Sequence, residues 1–423
     1  MRVLSITLAM LLLAACAVGP DYEKPEIDTP DVYRFTDEEA SDVINTRWWT
    51  QFEDPVLDEL IDEALRANLD VRTAAARVEQ FAARLNITRS EYFPQVGYGV
   101  GAERQGISRD RANGLGIDSI TTSYEATINV GWELDVWGRI RRATEASRAQ
   151  LLAAEEARRT VIMSLVSSVA TGYISLRRLD RQLEIAVQTR DLRGESLRLF
   201  ELQFNGGVIG QLQLSQIQSE YELAVSAVPT IERDIAIQES LISILLGRNP
   251  GAIARGKTID KLTFAQVPEG VPSDLLLRRP DIRQAEQDLI ANNALIGVAR
   301  AAYFPRISLT GFAGFVSGDL DAWFDSDSAA WAAGGALAGN IFTGGALKGN
   351  VKQAEALQQQ SLYAYQQSII TSLKEVEDAL ISTQKAREKL LSDGRRVDAL
   401  KEYARIARLR YDNGFTSYIE VLD

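Results

Sequence analysis

From Ser123 to Glu133 apolar and polar residues alternate without a slip. Tyr124, Ala126, Ile128, Val130 and Trp132 fall on one face, and Ser123, Glu125, Thr127, Asn129, Gly131 and Glu133 on the other. A period of two predicts a strand with one apolar and one polar wall. Residues 95–103 behave alike, setting Val96, Tyr98, Val100 and Ala102 against Gln95, Gly97, Gly99, Gly101 and Glu103. Between them, at about residues 104–121, Gly106, Gly114, Gly116 and several charges predict an exposed loop. A second pair is expected at about 306–316, led by Ile307 and Leu309, and at about 329–341, which is Ala/Gly-rich and weakly patterned. Such alternation matches one crossing of a tilted strand in a transmembrane barrel. It matches a half-buried hairpin of a soluble protein equally well.

Elsewhere the period is helical. Residues 139–204 and 346–411 are rich in Ala, Leu, Gln, Glu and Arg, and each window holds only two glycines, Gly172 and Gly194 in the first, Gly349 and Gly394 in the second. No proline lies between Pro94 and Pro229, and none follows Pro305. Two helices of about 100 Å are therefore expected. In the first, Val161, Leu165, Val169, Leu176, Leu179, Leu183 and Val187 recur at spacings of three, four and seven, a coiled-coil type of seam read as packing and not as a cofactor site. A further helix is expected at about 211–246, broken or bent at Pro229.

These elements recur in one order. Tyr92-Phe93-Pro94 returns as Tyr303-Phe304-Pro305 and Asp70-Val71-Arg72 as Asp281-Ile282-Arg283, both at an offset of 211; Gly138 and Gly207 match Gly345 and Gly414 at 207. Two internal repeats follow, at 55–277 (with a connector at 247–277) and 278–423. At the smaller offset the 211–246 helix should recur from Tyr418 to about residue 453, whereas the sequence ends at Asp423, so the final helix is expected to be truncated by roughly 30 residues. If the strands face lipid, four per chain cannot close a barrel, and several copies must share one.

Composition narrows the chemistry. The chain has 423 residues, a formal charge of −12, no His and one Cys. Acidity argues against nucleic-acid binding, and the missing imidazole removes His-based catalysis and zinc sites. No cofactor, metal or catalytic group is expected. The single Cys follows Met1-Arg2, an apolar run from Val3 to Leu13, and Ala14-Ala15. Residues 1–15 thus read as a signal peptide; the ending Leu13-Ala14-Ala15-Cys16 resembles a bacterial lipobox, which implies Cys16 as a lipidated residue opening an anchored segment at 16–54, the alternative being an ordinary signal peptide that contains a Cys. Ala17, and not Asp, follows it, which favours delivery to the outer membrane.

At this point longer motifs become informative. Trp48-Trp49 with Phe52, Asp54-Pro55, Leu57 and Leu60-Ile61; Trp132-Glu133-Leu134-Asp135 ending in Gly138-Arg139; Pro268 to Leu276; Arg278 to Glu286; and Asn340 to Gly345 together resemble the TolC-like outer membrane factors, in the NodT-type lipoprotein branch. The resemblance implies an α+β membrane protein: a homotrimer whose 12-stranded β-barrel, four strands per chain, continues into a long α-helical periplasmic barrel. It implies the exit duct of a tripartite efflux system, working with a periplasmic adaptor and an inner-membrane pump of the resistance-nodulation-division type, embedded in outer-membrane lipid and without chemistry of its own. Export of a protein or peptide, or a pore-less periplasmic coiled-coil scaffold, are the alternatives.

The resemblance also assigns the helix turns. Gly207, Val208, Ile209 and Gly210, with Gly414, Phe415, Thr416 and Ser417, are expected at the periplasmic tip in contact with the adaptor. Gate candidates are Asp412, Tyr418, Glu420 and Asp423, with Glu201 and Glu220 on the other hairpin. Arg405 or Arg408 would pair with these carboxylates. The family often carries an Asp shortly after this glycine where this chain has Thr416 and Ser417, so no gate residue transfers directly.

Overall fold

The computed structural model describes residues 18–26, 30, 47–115, 118–263, 278–416 and 419–422. In chain order they form α1 (Pro55–Ala67), α2 (Leu69–Ser90), β1 (Gln95–Gly106), α3 (Arg109–Leu115), β2 (Ile120–Leu134), α4 (Arg139–Asn205), α5 (Gln211–Leu245), α6 (Pro280–Ala301), β3 (Arg306–Ser317), β4 (Ala329–Ala338), α7 (Ala346–Asp412) and α8 (Ile419–Leu422). Described residues within Met1–Pro25, Thr46–Ala265 and Pro280–Tyr365 make one compact unit, and those within Glu26–Asn45, Gln266–Arg279 and Gln366–Asp423 a second.

Corresponding elements have matching lengths. α2 and α6 each have 22 residues, β1 and β3 each 12, and α4 and α7 each 67. The strands form one antiparallel meander in the order β1-β2-β3-β4. Its register stops at Arg306↔Ala338, so β4 ends three residues short of the expected 341. The residue before Arg306 is Pro305, which has no N–H to extend the ladder.

Two further expectations are corrected. The 104–121 loop contains α3, which Ser108 opens by accepting the Ala112 amide at its carbonyl (3.0 Å), with Asp110 in the first turn complementing the helix dipole. And of the break or bend expected at Pro229, the break is absent: α5 runs continuously through it. Pro229 is exposed, so the Val225 carbonyl that loses its partner is open to water.

The core of the first unit lies where α1 and the Trp48–Phe52 turn cover the middle of α4. Trp49, Leu57, Leu60 and Ile61 pack with Val169, Tyr173 and Leu176 of α4, Ile242 of α5 and Ile253 beyond it. A polar node sits inside this apolar layer. Asp54, 1% exposed, accepts the Val56 amide (3.0 Å) as the cap of α1, the Tyr173 hydroxyl (2.8 Å) and the Lys257 amide (2.9 Å). Tyr173 Oη in turn accepts the Gly256 amide at 2.8 Å. Burial, then the neighbouring Asp54, pushes the Tyr173 phenol up to about 12, so it remains a donor. A Cβ on Gly256 would lie 2.0 Å from Asp54 Oδ1, which excludes any side chain there.

Candidate channel wall and helix tips

The register converts the alternation into two continuous faces. Val96 pairs with Val130, which pairs with Gly311, which pairs with Ala333; the next outward row runs Tyr98, Ile128, Ala313, Trp331. Tyr98 is 87% and Trp331 78% exposed, a large apolar surface left bare on one chain. The opposite face carries Gly97, Asn129, Phe312 and Ala332 in one row and Gly99, Thr127, Gly314 and Ala330 in the next. Most of these residues are small or polar. The middle of the sheet borders an open hollow of about 740 Å³ whose lining takes residues from both rows, Asn129 and Phe312 from one and Val96, Val130 and Ala333 from the other. A sheet that is bare and apolar on one face and small or polar on the other is what a segment of transmembrane barrel requires.

Aromatic residues mark both ends of the apolar band. At the end near the rods, Trp132 Nε1 donates to the Tyr92 carbonyl (2.9 Å), and Trp137 stacks on Phe304 at 4.7 Å. At the other end Trp323 stacks on Phe324 (5.0 Å) and leans on Tyr124 (5.7 Å). From Tyr124 to Trp132 the strand climbs about 26 Å, or about 20 Å across a membrane at barrel tilt, which suits a hydrocarbon band between two interfacial girdles.

Each 67-residue rod ends in the same motif. In the first, the Val208 amide donates to the Gln203 carbonyl (2.8 Å) and the Gly207 amide to the Phe204 carbonyl (2.9 Å); in the second, Phe415 donates to Arg410 (2.9 Å) and Gly414 to Tyr411 (2.9 Å). Gly207 and Gly414 have φ of 70° and 75°, the left-handed geometry of a Schellman cap. A Cβ at either would touch nothing, so only backbone strain opposes a side chain. Gly414→Val is accordingly expected to cost about 1–2 kcal/mol at that turn, read as faster amide exchange at 410–416 with α7 otherwise intact. Val208 and Phe415 are 74% and 77% exposed, Ile209 is half-buried, Gly210 is exposed, and Thr416 is half-buried.

The charged gate candidates divide. Asp412 pairs with Arg408 (3.3 Å) and Glu420 with Arg410 (3.6 Å), whereas Arg405 turns to Glu402 (2.7 Å) three residues back and does not reach Asp412. Glu220 pairs with Arg193 at 2.7 Å. Arg193, Arg410 and Glu402 were not expected from sequence; their signal was the i,i+3 spacing of Glu402 and Arg405 alone. Glu201 is exposed. Cys16, Ser417, Tyr418 and Asp423, like the 1–15 signal, lie outside the described residues. No cluster of His, Cys, Asp and Glu fit for a metal occurs among the described residues.

Comparison with known proteins gives this geometry its context. A model of the family described as outer membrane efflux protein matches residues 60–248 and 271–423. The chain is 35% identical over 423 residues to the solvent efflux pump outer membrane protein SrpC of Pseudomonas putida, spanning 98% of this chain and 90% of that protein. It is 34% identical over 419 residues to the cation efflux system protein CusC of Escherichia coli (strain K12), spanning 98% and 90%. To the probable outer membrane lipoprotein SilC of Salmonella typhimurium it is 34% identical over 429 residues, spanning 100% and 92%. A solved structure of CusC, described in terms of transmembrane channel formation, is similar at a TM-score of 0.85 and 33% identity over 96% of this chain and 92% of that one. With two amphipathic hairpins, two 67-residue rods and these likenesses along its length, the chain belongs to the outer membrane efflux protein family.

Proposed function

We propose that three copies of this chain form the outer-membrane exit duct of a tripartite efflux system, each contributing four strands to a 12-stranded barrel. The observation that carries this reading is the meander itself. Its apolar wall is continuous across all four strands, yet β1 and β4 end it with unpaired edges that hydrocarbon does not tolerate. Pairing β4 of each copy with β1 of the next closes the sheet, and threefold symmetry makes every junction alike. The 67-residue rods, about 100 Å long, continue the conduit across the periplasm, and matching element lengths support a duplicated unit.

In this assembly Cys16 is the lipidated residue. The turns at 207–210 and 414–417 dock a periplasmic adaptor, which links the duct to an inner-membrane pump of the resistance-nodulation-division class. Exposed Val208 and Phe415 supply apolar contact there. The Arg408–Asp412 and Arg410–Glu420 pairs hold the tip narrow. The duct is passive and catalyses nothing. SrpC is named for solvents and CusC for cations, so cargo is set upstream in the pump.

Planar-bilayer recording tests this. Purified protein is expected to run as a heat-modifiable trimer with discrete conductance steps; a monomer without conductance would remove the duct. Arg408→Glu with Arg410→Glu is expected to raise conductance several-fold, and an unchanged step size would remove the gate from these pairs.

A further inference from the structure

The segment from Val18 to Lys24 is seated along one face of α6. Gly19 lies against Gly297, where a Cβ on Gly19 would come within 2.5 Å of Gly297 Cα and one on Gly297 within 2.7 Å of the Val18 carbonyl. One turn down the helix, the buried Asn293 donates through Nδ2 to the Pro20 carbonyl at 3.2 Å. Two turns further, Glu286 accepts the Tyr22 hydroxyl (3.3 Å) and pairs with Lys24 (3.0 Å). Arg142 of α4, 7% exposed, holds the other side through the Gly19 carbonyl (3.4 Å) and Asp21 (2.6 Å). From residue 297 to 286 α6 rises about 16 Å, and five extended residues span about 17 Å. The strap therefore follows the helix in a register that Gly19 and Gly297 fix.

Its upper end is fixed as well. The Val18 amide donates to the Trp137 carbonyl at 3.1 Å. Trp137 lies between the last residue of β2 and the first of α4, and its Nε1 donates to the Pro305 carbonyl (2.7 Å) immediately before β3. Cys16 precedes Val18 by two residues, a reach of at most about 7 Å. Three residues before Trp137 and two after Pro305, the outward pair Leu134↔Ile307 closes the base of the β2–β3 seam, followed by Trp132↔Leu309, with Leu309 40% exposed.

We infer that this seam is a fatty-acyl binding site: the acyl chains on Cys16 lie against Trp132, Leu134, Ile307 and Leu309, and the strap sets their height on the wall. The inference rests on the lipidation of Cys16 proposed above and adds to it a place and a ligand. Lipidation would then act as part of the barrel's lateral packing, beyond tethering.

Cells fed a diazirine-bearing fatty acid, irradiated after assembly, provide the test. Mass spectrometry of the trimer is expected to place cross-links in 130–136 and 305–311, several-fold above 96–102 and 329–335. Gly297→Val, which displaces the strap, is expected to spread the cross-links while acyl incorporation is unchanged. If that variant fails to fold, Asn293→Ala with Glu286→Ala serves the same purpose. Acyl label present on the native chain but evenly distributed over the wall overturns the seam while leaving lipidation standing. Absence of label from the trimer overturns both.

Discussion

Ile128→Arg is expected to abolish assembly into the outer membrane, while Arg at the next position, Asn129, is expected to leave assembly intact. Ile128 is 57% exposed at the centre of the outward face, four residues from each aromatic end of β2. A guanidinium at the midplane of a barrel's lipid face costs about 2–4 kcal/mol. In the proposed trimer the cost is incurred three times, about 6–12 kcal/mol in all, comparable to the whole stability of an ordinary folded domain. Asn129 stands on the opposite face of β2, in the row of Gly97, so a long side chain there leaves the apolar face untouched. Heat-modifiable trimer in membrane fractions is the measurement for both. Equal behaviour of the two variants would show that the alternation does not separate lipid from lumen. Asn129→Arg should in addition lower cation conductance, since three positive charges enter the bore.

Asp54→Ala should be the most damaging change outside the strands, at about 3–7 kcal/mol. It removes the cap of α1, worth about 1 kcal/mol. It also strands the Tyr173 hydroxyl and Lys257 amide in a dry layer, each unpaired group costing about 1–3 kcal/mol. Asp54→Asn keeps one acceptor oxygen and presents N–H groups to the other donors, so about half the loss is expected. Tyr173→Phe, which leaves the Gly256 amide unpaired, should fall near Asp54→Asn. Thermal unfolding followed by circular dichroism checks the ranking. A result in which Asp54→Ala matches wild type would mean that water enters the node.

How much of this could be read from the residues varies by element. β1 and β2 were legible because every outward position from 96 to 102 and from 124 to 132 is apolar and most inward ones are small or polar. β4 was barely so, since only Trp331 and Leu337 stand out from an Ala/Gly background, and its ladder ends at Arg306, next to the Pro305 that precedes the facing strand. The rods were legible from composition, proline placement and the glycines that cap them. Asp54-Pro55 reads as a helix start, but its partners Tyr173 and Lys257 lie 119 and 203 residues away, and nothing local marks them. The strap was invisible for the same reason: Val18 to Lys24 has no period, and its shape is imposed by α6. Charge alone offers Arg405 or Arg408 to the gate carboxylates; Arg408 meets Asp412, whereas helix geometry offers Arg405 the nearer Glu402.

The free borders of the meander have a further consequence for the cell. A newly exported copy carries one border of 12 residues and another of 10, each a row of unsatisfied peptide groups beside bare Tyr98 or Trp331. Either row can template adhesion to any extended polypeptide it meets. Solitary copies are thus a hazard that grows with their concentration, and prompt pairing of both borders becomes a condition of safe biogenesis.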